Sequence, residues 1–486
     1  MKLWIAFYTV AASLSSGAAA QAPPPSEVQS AAGRRAQEMA TALASDRMEV
    51  FRSFLKASTA LNPEDLESFQ WRRHVLGPWT ESRITSVAAN QASLTYRPAY
   101  SGRLLALQME VDPKAPHRIV AVTGQPAPPD DRPVPRNKAE SLKVLDEVAQ
   151  KVAAAGLFSG VVLVGQGGQP IYQRAFGLAD RSFDVPNRVD TKFNVGSMNK
   201  LFTSIGIGQL MEGGKLSLDD PLAKYLPDFP DPESAKKIRI KHLLSHTSGL
   251  NSYFSDEFFE ANPGRYRDVA TYMAAARKNA KMEFEPGTKW SYSNTGMLVL
   301  GRVLEIASGM DYYDYIRKHI YEPAGMTGSD SYLTNAVVKN RAVGYETTLG
   351  IDGQEIRSGI LDTPGRGGPA GGGYSTAPDL LRLSNALRSG RLLKPETLAL
   401  FSAPKPELSS PAYGYGFDLP VKGRDIAGHG GDFSDGTCAD FIMTRDAEAP
   451  YTAVVLSNGT ISGSCEAIRG AMRRIFPAAA SRPVSR

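Results

Sequence analysis

The chain has 486 residues, 42% hydrophobic and 22% charged, ordinary for a soluble globular protein and long enough for one large domain plus an accessory one. Its net charge of +5 comes from Lys and Arg scattered without a run or stripe, which argues against a nucleic-acid partner. The six histidines show no HExxH or clustered ligand spacing, so no metal is implied.

Residues 1–20 read as a secretory signal: Lys2 is the basic start, Leu3 to Leu14 is apolar, and Ala18 to Ala20 forms a small-residue cleavage site. The run falls short of the ~18 apolar residues a spanning helix needs, and no later segment is longer, so no membrane span is expected after cleavage. Residues 21–123 read as a small α+β module of unassigned role. A helical pattern runs from about Gln29 to Lys56, and Asn62 with Pro63 reads as a cap and first-turn proline. Short β-like runs follow at Arg83–Ala88, Ala92–Tyr96, Leu104–Val111 and Arg118–Thr123. A Pro-rich linker, residues 124–140, separates this module from the main region, 141–476. That region opens with a helix pattern, Ser141–Ala155, and two strands, Gly160–Gly165 and Pro170–Phe176, around GQGGQ. Its far end carries strand patterns at Tyr413–Leu419, Ala439–Thr444 and Thr452–Ser457, then a helix pattern, Cys465–Phe476, and a flexible tail, 477–486. Strands at both ends with helices between predict one antiparallel sheet closed by both termini, with a helical insert and the site where the two meet.

Serine followed three residues later by lysine occurs at Ser53, Ser197, Ser234 and Ser402. A chain this long should show roughly one or two such pairs by chance, so context must choose among them. Ser53 lies in a polar helical stretch, Ser234 in a charged Pro-flanked loop, and Pro404 interrupts the Ser402 pair. Only Ser197, in FNVGSMNKL, has glycine before it and a long amphipathic, apolar-rich helix pattern after it. On a helix, positions i and i+3 share a face, so the Ser197 hydroxyl and the Lys200 amine can meet. A lysine kept neutral by its surroundings can then take the proton.

Two later sites supply partners. FEPGTKWSYSNTGM places Tyr292 and Asn294 two residues apart ahead of an apolar helix pattern. The phenol can relay a proton and the amide can orient a lysine or a carbonyl; taken alone, a core tyrosine and a capping asparagine would be the simpler reading. IAGHGGDFSDG places His429, Gly430 and Gly431 where a strand should begin. Its glycines let backbone approach a ligand, and the Asp432 N–H can join the Ser197 N–H as an oxyanion hole.

Together these sites resemble the serine β-lactamase and penicillin-binding protein superfamily, in its class C β-lactamase, D,D-peptidase and family VIII carboxylesterase branch. KHLLSHTSGL at 241–250 and GGGYSTAPDL at 371–380 strengthen the likeness. The resemblance implies an α+β, β-lactamase-like fold with a central antiparallel sheet flanked by helices and a helical insert. It matches Ser197 to the nucleophile, Lys200 to the helix lysine, Tyr292 with Asn294 to the second motif, and His429 with Gly431 to the third. It further implies acyl transfer through a serine ester, with Lys200 or Tyr292 as base and no cofactor. It makes His246 of the HTSGL phrase a structural loop residue. The glycine cluster Gly365–Gly373 lacks the lysine of a phosphate loop, and Thr376 to Asp379 reads as a helix start.

The β-lactamases of this superfamily usually carry lysine at the position of His429. A histidine near its ordinary pKa is mostly neutral at pH 7 and offers no fixed charge to a substrate carboxylate. An exported hydrolase of small-molecule esters or D-amino-acid amides and peptides is therefore expected ahead of a β-lactamase, with a non-catalytic acyl-ligand or cell-wall-peptide sensor as the rival of another class. Cys438 and Cys465, the only cysteines, would meet an oxidising compartment and either pair or stay as small core residues.

Overall fold

The computed structural model describes residues 29–100, 104–127, 137–254, 258, 263–278, 281–350, 353–419, 425–433, 435–445, 450–460, 464–473 and 475–476. The expected signal at 1–20, most of the Pro-rich linker and the tail lie outside the described residues. The chain forms two compact units, residues 1–132 and 133–486.

In the first unit, Ser30 caps α1 (Ala31–Ala44) by accepting the Gly33 N–H. The single helical stretch expected to Lys56 is broken: Ser45 Oγ captures the Arg47 N–H at 3.2 Å, and a second helix, α2 (Met48–Ser58), starts afresh. Asn62 caps α3 (Pro63–Leu76), accepting from the Asp65 N–H at 2.8 Å, with Pro63 in the first turn. Four antiparallel strands follow in sequential order: β1 (Trp79–Val87), β2 (Gln91–Pro98), β3 (Leu105–Val111) and β4 (Ile119–Gln125). Alternation puts Ala92, Leu94 and Tyr96 of β2 and Leu107, Met109 and Val111 of β3 into one core. Ala32, Ala36, Met39 and Leu43 of α1 join it at helical spacing.

In the second unit, Asn137 caps α4 (Lys138–Ala154), which starts three residues before the expected Ser141. A hairpin follows, β5 (Phe158–Gln166) and β6 (Gln169–Phe176), its two-residue turn made by Gly167 and Gly168 at φ +58° and +81°. Next come α5 (Asn199–Glu212), α6 (Asn294–Ser308), a hairpin of β7 (Tyr345–Gly350) and β8 (Gly353–Ser358), and α7 (Ala377–Arg388). Thr376 caps α7 by accepting the Asp379 N–H. The chain closes with β9 (Ile426–Asp432), β10 (Cys438–Thr444), β11 (Tyr451–Thr460) and α8 (Ser464–Arg473).

The sheet runs β6-β5-β11-β10-β9, antiparallel throughout. Where β10 stops pairing with β11, the unforeseen β7-β8 hairpin joins in parallel, Tyr345 opposite Gly459. Val161 and Leu163 of β5 and Val454 and Leu456 of β11 share a core with α5, α6 and α7, while α4 and α8 also pack on the sheet and on each other. The two cysteines pair as a disulfide between β10 and α8, Cα–Cα 6.6 Å.

Three expectations need correction. First, α5 is buried from Asn199 to Gly208 on every side, so it is a central core helix rather than an amphipathic one. Second, residues 413–419 form no strand. Gly416, at φ +80°, folds the segment into a turn against Ser204 of α5, where a Cβ would clash, leaving only isolated bridges at Tyr413 and Asp418. Third, His429 does not open its strand: β9 starts at Ile426, and His429 pairs with Phe441 in mid-strand. Among the described residues no helix is long and apolar enough to cross a membrane, and no group of His, Cys, Asp and Glu is placed to hold a metal.

Candidate active site

Ser197 sits in a single turn, Gly196–Met198, just before α5. The turn exists because Gly196 takes φ +49° and because Asn194 Oδ1 accepts the Gly196 N–H at 2.9 Å. Asn194 is in turn held by buried Asp435 at 3.1 Å. Burial pushes the Asp435 carboxyl up, opposed by its bonds to Thr437 and Asn194. Ser197 is half-buried while its neighbours from Phe193 to Gly196 are buried.

Lys200, one turn along, is completely buried and donates to Ser197 Oγ at 3.0 Å and to the Ala370 carbonyl. That carbonyl belongs to the Gly-rich segment 365–373, which clasps α5: Asn199 donates to Gly368 O and Thr203 to Pro369 O, each at 2.8 Å. The glycine cluster is thus a strap across α5, the helix that follows Ser197. Burial holds the Lys200 amine well below the usual lysine range, with Asp418 pulling the other way.

Tyr292 ends the loop before α6, its ring centroid 4.8 Å from Lys200 Nζ. Burial pushes its phenol up, and a hydrogen bond with Ser197 opposes the shift. Asn294 is the first residue of α6 but not its cap. Ser293 caps, accepting the Gly296 N–H at 3.0 Å, so the Asn294 amide is not engaged as a cap. Its Nδ2 donates to Ser252 Oγ at 3.3 Å, and its buried Oδ1 has no hydrogen-bond partner among the described residues.

The end of β9 passes against the Ser197 turn. A Cβ on Gly431 would lie 2.7 Å from Ser197 N and collide with the Val195 carbonyl, and one on Gly196 would lie 3.1 Å from Asp432 N. The backbone amides of Ser197 and Asp432 are therefore neighbours, and only glycine permits the approach. The Asp432 side chain is exposed and lies 3.7 Å from Arg469. His429 is buried, its Nε2 3.0 Å from the Tyr413 hydroxyl. Burial lowers the imidazole; Asp418 and the Gly430 carbonyl oppose this and Lys200 reinforces it.

The structure thus brings Ser197, Lys200, Tyr292, His429, Gly431 and Asp432 together, while the Asn294 amide, two residues beyond Tyr292, is bound to Ser252. Asn194, Ala370 and Tyr413 were not singled out in the sequence. Asn194 acts through its side chain on the Gly196 N–H and Asp435, Ala370 through a carbonyl 170 residues from Lys200, neither of which leaves a residue pattern, and Tyr413 is hidden by its apparent strand alternation.

A β-lactamase family model matches residues 145–473, and the chain belongs to that family. It is 31% identical over 349 residues to a penicillin-binding protein of Bacillus subtilis (strain 168), covering 66% of this chain and 72% of that one. It is 31% identical over 272 residues to the esterase EstB of Burkholderia gladioli, covering 50% and 69%. The solved structure of a D-stereospecific amidohydrolase from a Streptomyces species matches with a TM-score of 0.55 at 25% identity, covering 69% of this chain and 98% of that one. Family and relatives together make the chain a serine hydrolase of β-lactamase fold.

Proposed function

We propose that the chain is an exported hydrolase that cleaves carboxylic esters or D-amino-acid amides and peptides through an acyl-enzyme on Ser197. The observation that carries this reading is the Ser197 hydroxyl 3.0 Å from a fully buried lysine amine. Burial lowers the Lys200 amine and raises the Tyr292 phenol, favouring the uncharged form of each, so the lysine lone pair is the base and the tyrosine the proton donor. Ser197 Oγ attacks the carbonyl carbon as its proton passes to Lys200. The carbonyl oxygen becomes an oxyanion held by the Ser197 and Asp432 N–H groups. The carbon–heteroatom bond then breaks, and the leaving alcohol or amine takes a proton through Tyr292 from Lys200. Water attacks the serine ester by the same route in reverse, releasing the acid.

The third motif supports the substrate class. His429 is buried, neutral and engaged by Tyr413, so it gives a substrate carboxylate no fixed cation. This favours esters and amides over β-lactams, whose ring substituent is a carboxylate. The Burkholderia esterase and the Streptomyces amidohydrolase lend the two bond types. The test is a rate comparison on purified mature protein with a short-chain aryl ester, a D-alanyl amide, a D-alanyl peptide and a chromogenic cephalosporin. The ester or a D-amino-acid substrate is expected to turn over fastest; a cephalosporin in first place would overturn the ranking.

A further inference from the structure

His246 belongs to the HTSGL phrase and has no part in the steps above. It is fully buried and holds φ +59°, a conformation that non-glycine side chains rarely adopt and that Asn, Asp and His tolerate best. Its contacts converge on one neighbour. The His246 carbonyl accepts the Ser291 N–H at 2.9 Å, and His246 Nδ1 accepts the Ser293 N–H at 3.2 Å. One residue thereby binds the backbone N–H groups of both residues that flank Tyr292. Its ring also packs on the Tyr292 ring at 4.4 Å between centroids, and on Tyr413 at 4.6 Å.

Tyr292 needs such support. It lies in an irregular segment ahead of the α6 cap, so no helix or strand ladder fixes its backbone. A ring nitrogen that accepts must be unprotonated, which puts the imidazole proton on Nε2. That Nε2 is buried without a hydrogen-bond partner among the described residues, an arrangement a purely packing side chain would not require. Burial, together with the nearby Lys200 and His429, holds the ring well below the usual histidine range and so preserves the accepting form.

We propose that His246 is a positioning residue for Tyr292: its carbonyl and Nδ1 clamp the backbone N–H groups of the residues on either side of the tyrosine, Ser291 and Ser293, and its ring backs the phenol toward Ser197 and Lys200. The inference rests on Tyr292 carrying a proton in the proposed hydrolysis. A conservative variant separates the clamp from simple packing. Asparagine tolerates the positive φ and can place Oδ1 where Nδ1 stands, whereas alanine has no acceptor.

The test compares H246A and H246N on the best aryl ester, with thermal melts as a check of folding. For H246A, kcat is expected to fall about 10- to 100-fold with KM within about twofold, because a misplaced proton-transfer group affects the transition state more than binding. H246N is expected to recover kcat to within about fivefold of the parent. An H246A enzyme within threefold of the parent in kcat, or an H246N enzyme as damaged as H246A, overturns the clamp. A second measurement needs no folded alanine variant and no activity: long-range 1H–15N correlation of 15N-histidine-labelled parent protein, with the His246 signals identified by their loss in H246N. A neutral ring with the proton on Nε2 supports the clamp; a proton on Nδ1 or an imidazolium at pH 7 overturns it. Retained turnover in a Ser197→Ala enzyme would sink the hydrolytic reading separately, leaving the tautomer result to judge His246.

Discussion

Gly431 and Gly430 stand side by side on β9, yet the structure assigns them opposite sensitivities. A Cβ on Gly431 would lie 2.7 Å from Ser197 N and 3.0 Å from Met198 N and would collide with the Val195 carbonyl. Ordinary contact begins near 3.4 Å, so the strand end and the Ser197 turn must part by at least 0.7 Å at Ser197 N alone. That gap opens between the two amides proposed to hold the oxyanion. Losing one such donor costs about 100- to 1,000-fold in kcat, or about 2.7–4 kcal/mol, and a 1 Å misplacement can cost about 100-fold. A Cβ on Gly430 meets nothing closer than 3.6 Å, at Arg469 Nη2 and Asp440 Oδ1, both ordinary contacts. Steady-state kinetics on an aryl ester, with thermal melts to verify folding, should therefore show G431A down by about two orders of magnitude in kcat with KM little changed. G430A should stay within about threefold of the parent. If both variants behave alike, or G431A folds and keeps more than a tenth of the parent kcat, the oxyanion assignment is refuted.

Two further predictions concern charge. Because burial lowers the Lys200 pKa, the acid limb of the kcat/KM profile should fall well below 10.5, and K200M should lose about 100- to 10,000-fold in kcat. The same burial fixes the sign of a stability effect. Between the lowered folded value and the unfolded 10.5, the unfolded chain holds the extra proton, so stability rises with pH across that window. K200M should flatten that rise and melt a few degrees higher than the parent at pH 7; a lower melting temperature contradicts a buried neutral amine. Replacing His429 by lysine restores a fixed cation at the third motif, and H429K should improve kcat/KM for a carboxylate-bearing cephalosporin about tenfold relative to the aryl ester. An unchanged ratio would mean that His429 does not set the substrate preference.

The sequence was most legible where side-chain chemistry and periodicity coincide. Strand alternation located β1 to β5, β10 and β11 to within a few residues, and the Ser197, Tyr292 and His429 motifs come together because each lies beside a regular element that begins or ends there. What it concealed has physical causes. The break between α1 and α2 depends on one serine hydroxyl capturing a backbone N–H, which no hydrophobic period reports. Residues 413–419 alternate like a strand, but Gly416 serves a close packing contact with Ser204 that only the fold creates. The β7-β8 hairpin is added at the end of a strand more than 100 residues later in the chain, a non-local pairing that local pattern cannot show. His246 lies inside the HTSGL phrase, yet its grip on both sides of Tyr292 spans more than 40 residues of sequence.

The central claim is a transient ester on Ser197. Rapid-quench intact-mass spectrometry with an aryl ester, followed by peptide mapping, tests it most directly. The expected result is an acyl mass on the peptide containing Ser197 that appears within the first turnover and decays as acid is released, and that is absent from a Ser197→Ala enzyme without turnover. An adduct mapped to another residue, an adduct that never decays on any substrate of the panel, or turnover that survives in Ser197→Ala would contradict it.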